Sequence, residues 1–168
     1  MFSSFLKKGK HLRKYLFAFL LVTSTMFCEK AGPDLLQMGI GAYDFHRSSK
    51  IPQLSLEYKL ALPYKRIHSL TGALATFKAS LYVYSGFDYD IFIGKRFVIT
   101  PSFCGGVFFR GKGKDLGYPL EWRSSVEMAY VFKSNSRIGV QGYHISNGSF
   151  GWKNPGEETL LVFYALAL

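Results

Sequence analysis

The chain has 168 residues, room for one domain, with 19% charged and 17% aromatic residues, including 16 Phe and 11 Tyr beside 17 Gly. Such aromatic and glycine content excludes a helical bundle and suits many short strands joined by tight turns. The formal net charge is +10, but Lys7, Lys8, Lys10, Arg13 and Lys14 supply half of it from an acid-free start, and the other basic residues are scattered, so no nucleic-acid partner is expected.

In chain order, the basic stretch Lys7 to Lys14 precedes an apolar core, Tyr15 to Val22, and then Thr23-Ser24-Thr25. This outline predicts a secretory signal peptide over residues 1–28, with no small-x-small triplet to mark its cleavage site. The apolar core is too short for a spanning helix, which needs about 20 residues; an uncleaved anchor is the alternative. Thr25-Met26-Phe27 lacks the small residues expected before a lipid-modified Cys28. Cys104 sits in a strand-like run and is expected to be a small buried filler. Two cysteines placed so are neither a disulfide framework nor a metal site, and neither metal nor cofactor is expected.

From Leu35 onward the hydrophobic period is two. Leu54, Leu56, Tyr58, Leu60 and Leu62 alternate with Ser55, Glu57, Lys59 and Ala61. Leu120, Trp122, Ser124, Val126, Met128, Tyr130 and Phe132 alternate with Glu121, Arg123, Ser125 and Glu127. Eight segments follow: 35–45, 51–62, 67–77, 80–94, 97–108, 119–132, 137–146 and 157–168. Turn chemistry separates them at Arg47-Ser48-Ser49-Lys50, Pro63-Tyr64-Lys65-Arg66, Gly94-Lys95-Arg96, Gly111–Gly117 and Lys133-Ser134-Asn135-Ser136. Each segment is long enough to cross a bilayer as a tilted strand, for which about 9–11 residues suffice. The predicted fold is all-β: an eight-stranded antiparallel transmembrane barrel of the outer membrane, occupying residues 29–168 after the signal peptide. Periodicity does not say which stripe faces inward. Aromatic residues at segment ends (Tyr58, Tyr64, Trp122, Tyr130, Phe132) and the export signal favour apolar side chains toward lipid and a polar lumen. A soluble lipocalin-like barrel is the alternative.

The seventh segment and the loop after it carry the candidate chemistry. His144 and Ser146 are two apart, so on a strand they share a face about 6.6 Å apart along its axis. Glu158 shares a face with Leu160, Val162, Tyr164, Leu166 and Leu168. Polar groups on a lipid-facing wall need partners, and a carboxylate on the imidazole with the imidazole on a serine would supply them while activating the serine. Asn147 and the backbone N–H groups from Gly148 to Gly151 are the nearest oxyanion donors. Spacing alone also fits ordinary polar residues at strand ends, with Asn154-Pro155-Gly156 a plain turn. Gly111-Lys112-Gly113-Lys114 lacks the Ser/Thr and helix of a phosphate loop. His46 and His68 read as loop residues without a role, and His11 belongs to the leader. With the N-terminus in the periplasm, the seventh segment reaches the cell surface at Ser146 and the eighth begins there, at the level of lipid A.

His144-Ile145-Ser146-Asn147 followed by Asn154-Pro155-Gly156-Glu157-Glu158 resembles the signature of the PagL-type lipid A deacylases. Gly39-x-Gly41-x-Tyr43-Asp44-Phe45, Thr100-Pro101-Ser102 and Lys114-Asp115-Leu116-Gly117-x-Pro119-Leu120-Glu121 extend the resemblance across nearly all of residues 35 to 168. The resemblance implies His144 as base, Ser146 as nucleophile and Glu158 as orienting acid, with Asn147 at the oxyanion. It also implies release of a 3-hydroxyacyl chain from lipid A, with no metal. Parity and spacing choose Glu158 over Glu157. The expected partners are lipid A or lipopolysaccharide and outer-membrane lipids, and a homodimer is left open. The competing function is a non-catalytic small outer-membrane barrel, structural or lipid-binding.

Overall fold

In the computed structural model the described residues are 32–44 and 51–168. The predicted signal peptide, Cys28, His11, His46 and the 47–50 turn lie outside them. The strands are β1 (Leu35–Tyr43), β2 (Ile51–Ala61), β3 (Ile67–Thr76), β4 (Leu81–Tyr89), β5 (Ile91–Ile93), β6 (Phe97–Phe109), β7 (Leu120–Val131), β8 (Arg137–Ser146) and β9 (Glu157–Ala167), with no helix among the described residues. Each strand pairs antiparallel with its neighbour, and β1 pairs with β9 from Leu35↔Ala167 to Tyr43↔Thr159, so the sheet closes and leaves no edge.

The fourth predicted segment is divided at Asp90. Pairing with β6 keeps one register across the break, from Asp88↔Ser102 to Ile91↔Ile99, so β4 and β5 are a single stave and the barrel has eight. The break arises because the Asp90 N–H donates to the Arg66 carbonyl (2.7 Å). Its carboxylate meanwhile accepts from Thr100 Oγ1 (2.7 Å) and both terminal nitrogens of Arg137 (2.8 and 2.5 Å).

The barrel is polar inside and apolar outside. Gln37, Gln53, Glu57, Lys59, Arg123, Glu127, Gln141 and Glu157 are buried in the lumen, while Ile40, Leu54, Leu56, Met128, Val140, Leu160 and Val162 are exposed on the wall. The charged stripes of β2 and β7 therefore meet one another across the lumen. Lys59 Nζ donates to both oxygens of Glu127 (2.7 and 2.8 Å) and pairs with Asp88 (3.0 Å). Arg123 donates to Glu57 (2.7 Å) and lies against the Tyr84 and Tyr143 rings, 4.2 and 5.3 Å from their centroids. Buried ions are tolerated when paired and hydrogen-bonded in this way. This arrangement is that of a membrane barrel and excludes the soluble one, whose apolar stripes would face inward.

His68 departs from expectation: it lies in β3, buried, with Nδ1 2.7 Å from Asp88 Oδ1. Cys104 is buried and unpaired, as expected of a filler.

Short turns join β2–β3, β5–β6 and β7–β8 at the end that also holds both strand termini, with left-handed residues at Arg66, Gly94 and Asn135. The longer connections 110–119 and 147–156 lie at the opposite end, around the C-terminus of β8.

Candidate active site

Alternation along β8 sends Arg137, Gln141, Tyr143 and Ile145 into the lumen and Ile138, Val140 and His144 onto the wall. On β9 it sends Glu157 and Thr159 inward and Glu158, Leu160 and Val162 outward. The β8–β9 register sets His144 directly opposite Glu158. Their side chains meet, with Nδ1 of His144 3.1 Å from Oε1 of Glu158, both partly exposed. Glu157 turns away into the lumen, where its Oε1 accepts from the Asp44 N–H and from Thr159 Oγ1, each at 2.7 Å. The neighbouring acids are thus separated by the pleat alone.

Ser146 shares the face of His144 one alternation further on, opposite Trp122 of β7, which stacks on Phe103 at 5.7 Å. Ser146 Oγ makes no hydrogen bond among the described residues. The structure thus joins two of the three predicted residues by a bond and leaves the third beside them on the same face.

The loop after Ser146 is built around Asn147, which is fully buried. Its Nδ2 donates to the carbonyls of Leu116 and Lys153, both at 2.8 Å. Its Oδ1 accepts from the Ser149 N–H (2.9 Å), and its own N–H donates to Asn154 Oδ1 (3.2 Å). The Phe150 N–H closes a turn on the Asn147 carbonyl (3.1 Å), with Gly148 and Ser149 both left-handed, the geometry of a type I′ turn. Asn147 therefore ties the 110–119 loop to the 147–156 loop, and both hydrogens of its amide are already given to carbonyls. Gly148, two residues after Ser146, is exposed at the head of the turn and carries a backbone N–H that bonds no described residue.

A second clasp lies outside the membrane span. Asp115 accepts from Lys153 Nζ (2.8 Å) and from the Gly117 N–H (3.0 Å), and these bonds hold its carboxyl below the ordinary aspartate range. Lys153 also covers the exposed Trp152 ring at 4.2 Å from its centroid.

Gly156 was legible only as a turn residue. Its φ is +59°, and a Cβ there would stand 2.8 Å from His144 Cε1, so the turn packs flat against the imidazole. With Asn154, it gives the Asn-Pro-Gly run a role beyond reversing the chain: one residue fixes Asn147, the other leaves room for His144.

The site residues hold no group resembling a metal cage. The one set of histidine and carboxylate ligand atoms lying within 4.8 Å of one another among the described residues is His68, Asp88 and Asp90 in the lumen. Lys59 and Arg137 already pair those acids.

The family model for lipid A 3-O-deacylase (PagL) matches residues 36–167. No curated protein matches the chain. Among solved structures the chain is similar to the outer membrane enzyme PagL, at 19% identity and a TM-score of 0.62, over 80% of this chain and 99% of that one. It is also similar to Neisserial surface protein A, at 11% identity and a TM-score of 0.55, over 83% and 100% of the two chains. Likeness at such identities carries the fold, and the family match, spanning every strand from β1 to β9, carries the membership: the chain is an outer-membrane β-barrel belonging to the PagL lipid A 3-O-deacylase family.

Proposed function

We propose that this barrel hydrolyses the 3-O-linked 3-hydroxyacyl ester of lipid A through a Ser-His-Glu mechanism. Glu158 holds the Nδ1–H of His144, which fixes the tautomer that leaves Nε2 free to accept the Ser146 hydroxyl proton. Ser146 Oγ attacks the ester carbonyl, and the resulting oxyanion takes a hydrogen bond from the Gly148 N–H. Asn147 serves by framing that donor, since its own amide hydrogens are committed to Leu116 and Lys153. Collapse breaks the bond to the sugar oxygen, which recovers the proton from His144. Water, deprotonated by the same imidazole, then frees the hydroxy fatty acid from Ser146.

The observation that carries this reading is the His144–Glu158 pair at 3.1 Å on a wall otherwise made of Val140, Leu160 and Val162. A carboxylate beside a membrane is costly unless it serves a partner, and its partner is an imidazole two residues from a serine. The bilayer orientation follows from general barrel architecture: short turns lie on the periplasmic side, which sets Ser146 and Glu158 at the outer leaflet, where lipid A resides.

Purified protein in detergent, mixed with lipid A, should release one hydroxy fatty acid per molecule, read by mass spectrometry. Ser146→Ala should abolish release while the barrel still refolds. Binding of lipid A without release by the wild type would favour the non-catalytic barrel instead.

A further inference from the structure

The short turns at the end of the barrel away from Ser146 are all basic. They carry Lys65 and Arg66, Lys95 and Arg96, and Lys133, and residues 62–66, 94–96 and 132–136 contain no acid. Asp34, where the chain enters β1 at the same end, already accepts from the Ala61 N–H (2.9 Å) and from the Tyr58 hydroxyl. Whereas the lumen pairs its charges, Arg96 and Lys133 pair with no carboxylate among the described residues. On the outer wall these two border one recess, a cavity of about 570 Å³ among Arg96, Tyr130, Phe132, Lys133, Ser134 and Tyr164.

Arg96 is fixed in place at its edge. The Arg96 carbonyl accepts from the Val131 N–H (2.7 Å), its Nη1 donates to the Val131 carbonyl (3.3 Å), and its guanidinium lies 5.9 Å from the Tyr130 ring centroid. Its Nε and Nη2 bond no described residue. In the β7–β8 turn the Asn135 N–H donates to the Phe132 carbonyl (3.0 Å) and the Phe132 N–H to the Ser136 carbonyl (2.9 Å). The N–H groups of Lys133 and Ser134, at the head of that turn, bond no described residue. Two cations and two turn N–H groups around one recess are a donor set for a phosphate. The rest of the lining is aromatic, as at the headgroup level of a membrane protein. Ile138, exposed on the wall, stands between Tyr130 and Tyr164 in the cross-strand row, so the recess continues into the lipid-facing surface. A free anion would use only its upper edge.

We propose that this recess holds the headgroup of an anionic glycerophospholipid of the periplasmic leaflet, with Arg96 and Lys133 on its phosphate. The site lies at the opposite end of the strands from His144 and Glu158 and takes no part in ester hydrolysis. It requires only that the short turns face the periplasm.

The test titrates the refolded barrel in non-ionic detergent with dioleoyl phosphatidylglycerol, dioleoyl phosphatidylcholine or inorganic phosphate, and reads the bound species by native mass spectrometry. Refolding of each variant is checked by heat-modifiable gel mobility. The wild type should bind the phosphatidylglycerol in preference to the phosphatidylcholine. Lys133→Gln, at the exposed head of a turn, should lose about fivefold in affinity for it, and Arg96→Gln with Lys133→Gln about thirtyfold. Lys65→Gln with Lys95→Gln removes the same charge from outside the recess and should bind as the wild type does. An equal loss in the two double variants would mean diffuse attraction to the basic rim and overturns the inference. Equal binding of the two lipids by the wild type overturns it as well, and so does binding of inorganic phosphate in place of the lipid.

Discussion

Glu157 and Glu158 show how much a single step of the pleat decides. The first faces the lumen and anchors Asp44 and Thr159; the second faces lipid and holds His144. Glu158→Gln should therefore lower kcat/KM on lipid A by about 10³-fold or more, since an amide leaves the imidazole in the wrong tautomer. Glu157→Gln should leave turnover nearly intact and show itself in the stability of the barrel. Steady-state release of hydroxy fatty acid separates the two. Parity made this choice legible in the sequence, because Glu158 falls in the stripe of Leu160 and Val162. The work of Asn147 was not legible: its bond to the Leu116 carbonyl spans 31 positions, and no local pattern encodes a contact between two loops. Asn147→Ala should strand two carbonyls and an N–H, at about 1–3 kcal/mol for each group left buried. Loss of activity with a loosened 147–156 loop, seen as faster hydrogen exchange there, is the expected outcome.

At the scale of elements, strand positions follow from the period of two and the turn residues, and β8 runs over the predicted Arg137–Ser146. The division of β4 from β5 escaped prediction because it depends on Arg66 and Arg137, which come from other staves. The two loops beside β8 also act together. Lys153 and the Gly117 N–H hold the carboxyl of Asp115 below the ordinary aspartate range, so its clasp is fully present above that range and is lost as pH falls through the lowered pKa. Protection from hydrogen exchange in residues 147–156, taken relative to the intrinsic amide rate at each pH, should hold at neutral pH and be lost only in acid. Asp115→Asn should show the fast exchange already at neutral pH; slow exchange in that variant would mean the clasp does not hold the loop.

For the whole molecule, the inversion of polarity is what composition and periodicity left undecided. Both stripes of β2 and β7 suit either a soluble or a membrane barrel until Lys59 meets Glu127 and Arg123 meets Glu57 across the lumen. Arg123→Met leaves Glu57 facing Tyr84 without its cation, a loss of about 3 kcal/mol for a broken buried pair. It should lower the urea midpoint of unfolding in lipid vesicles, and adding Glu57→Gln should recover most of the loss. The lumen is thus filled by paired ions, and the His144–Glu158 pair lies on the outer wall of the barrel. The most direct measurement is the mass spectrum of lipid A from outer membranes that carry the wild-type chain, the Ser146→Ala chain at equal abundance, or neither. The account predicts a species lighter by one 3-hydroxyacyl chain with the wild type alone; the same lighter species with Ser146→Ala, or its absence from all three, would contradict it.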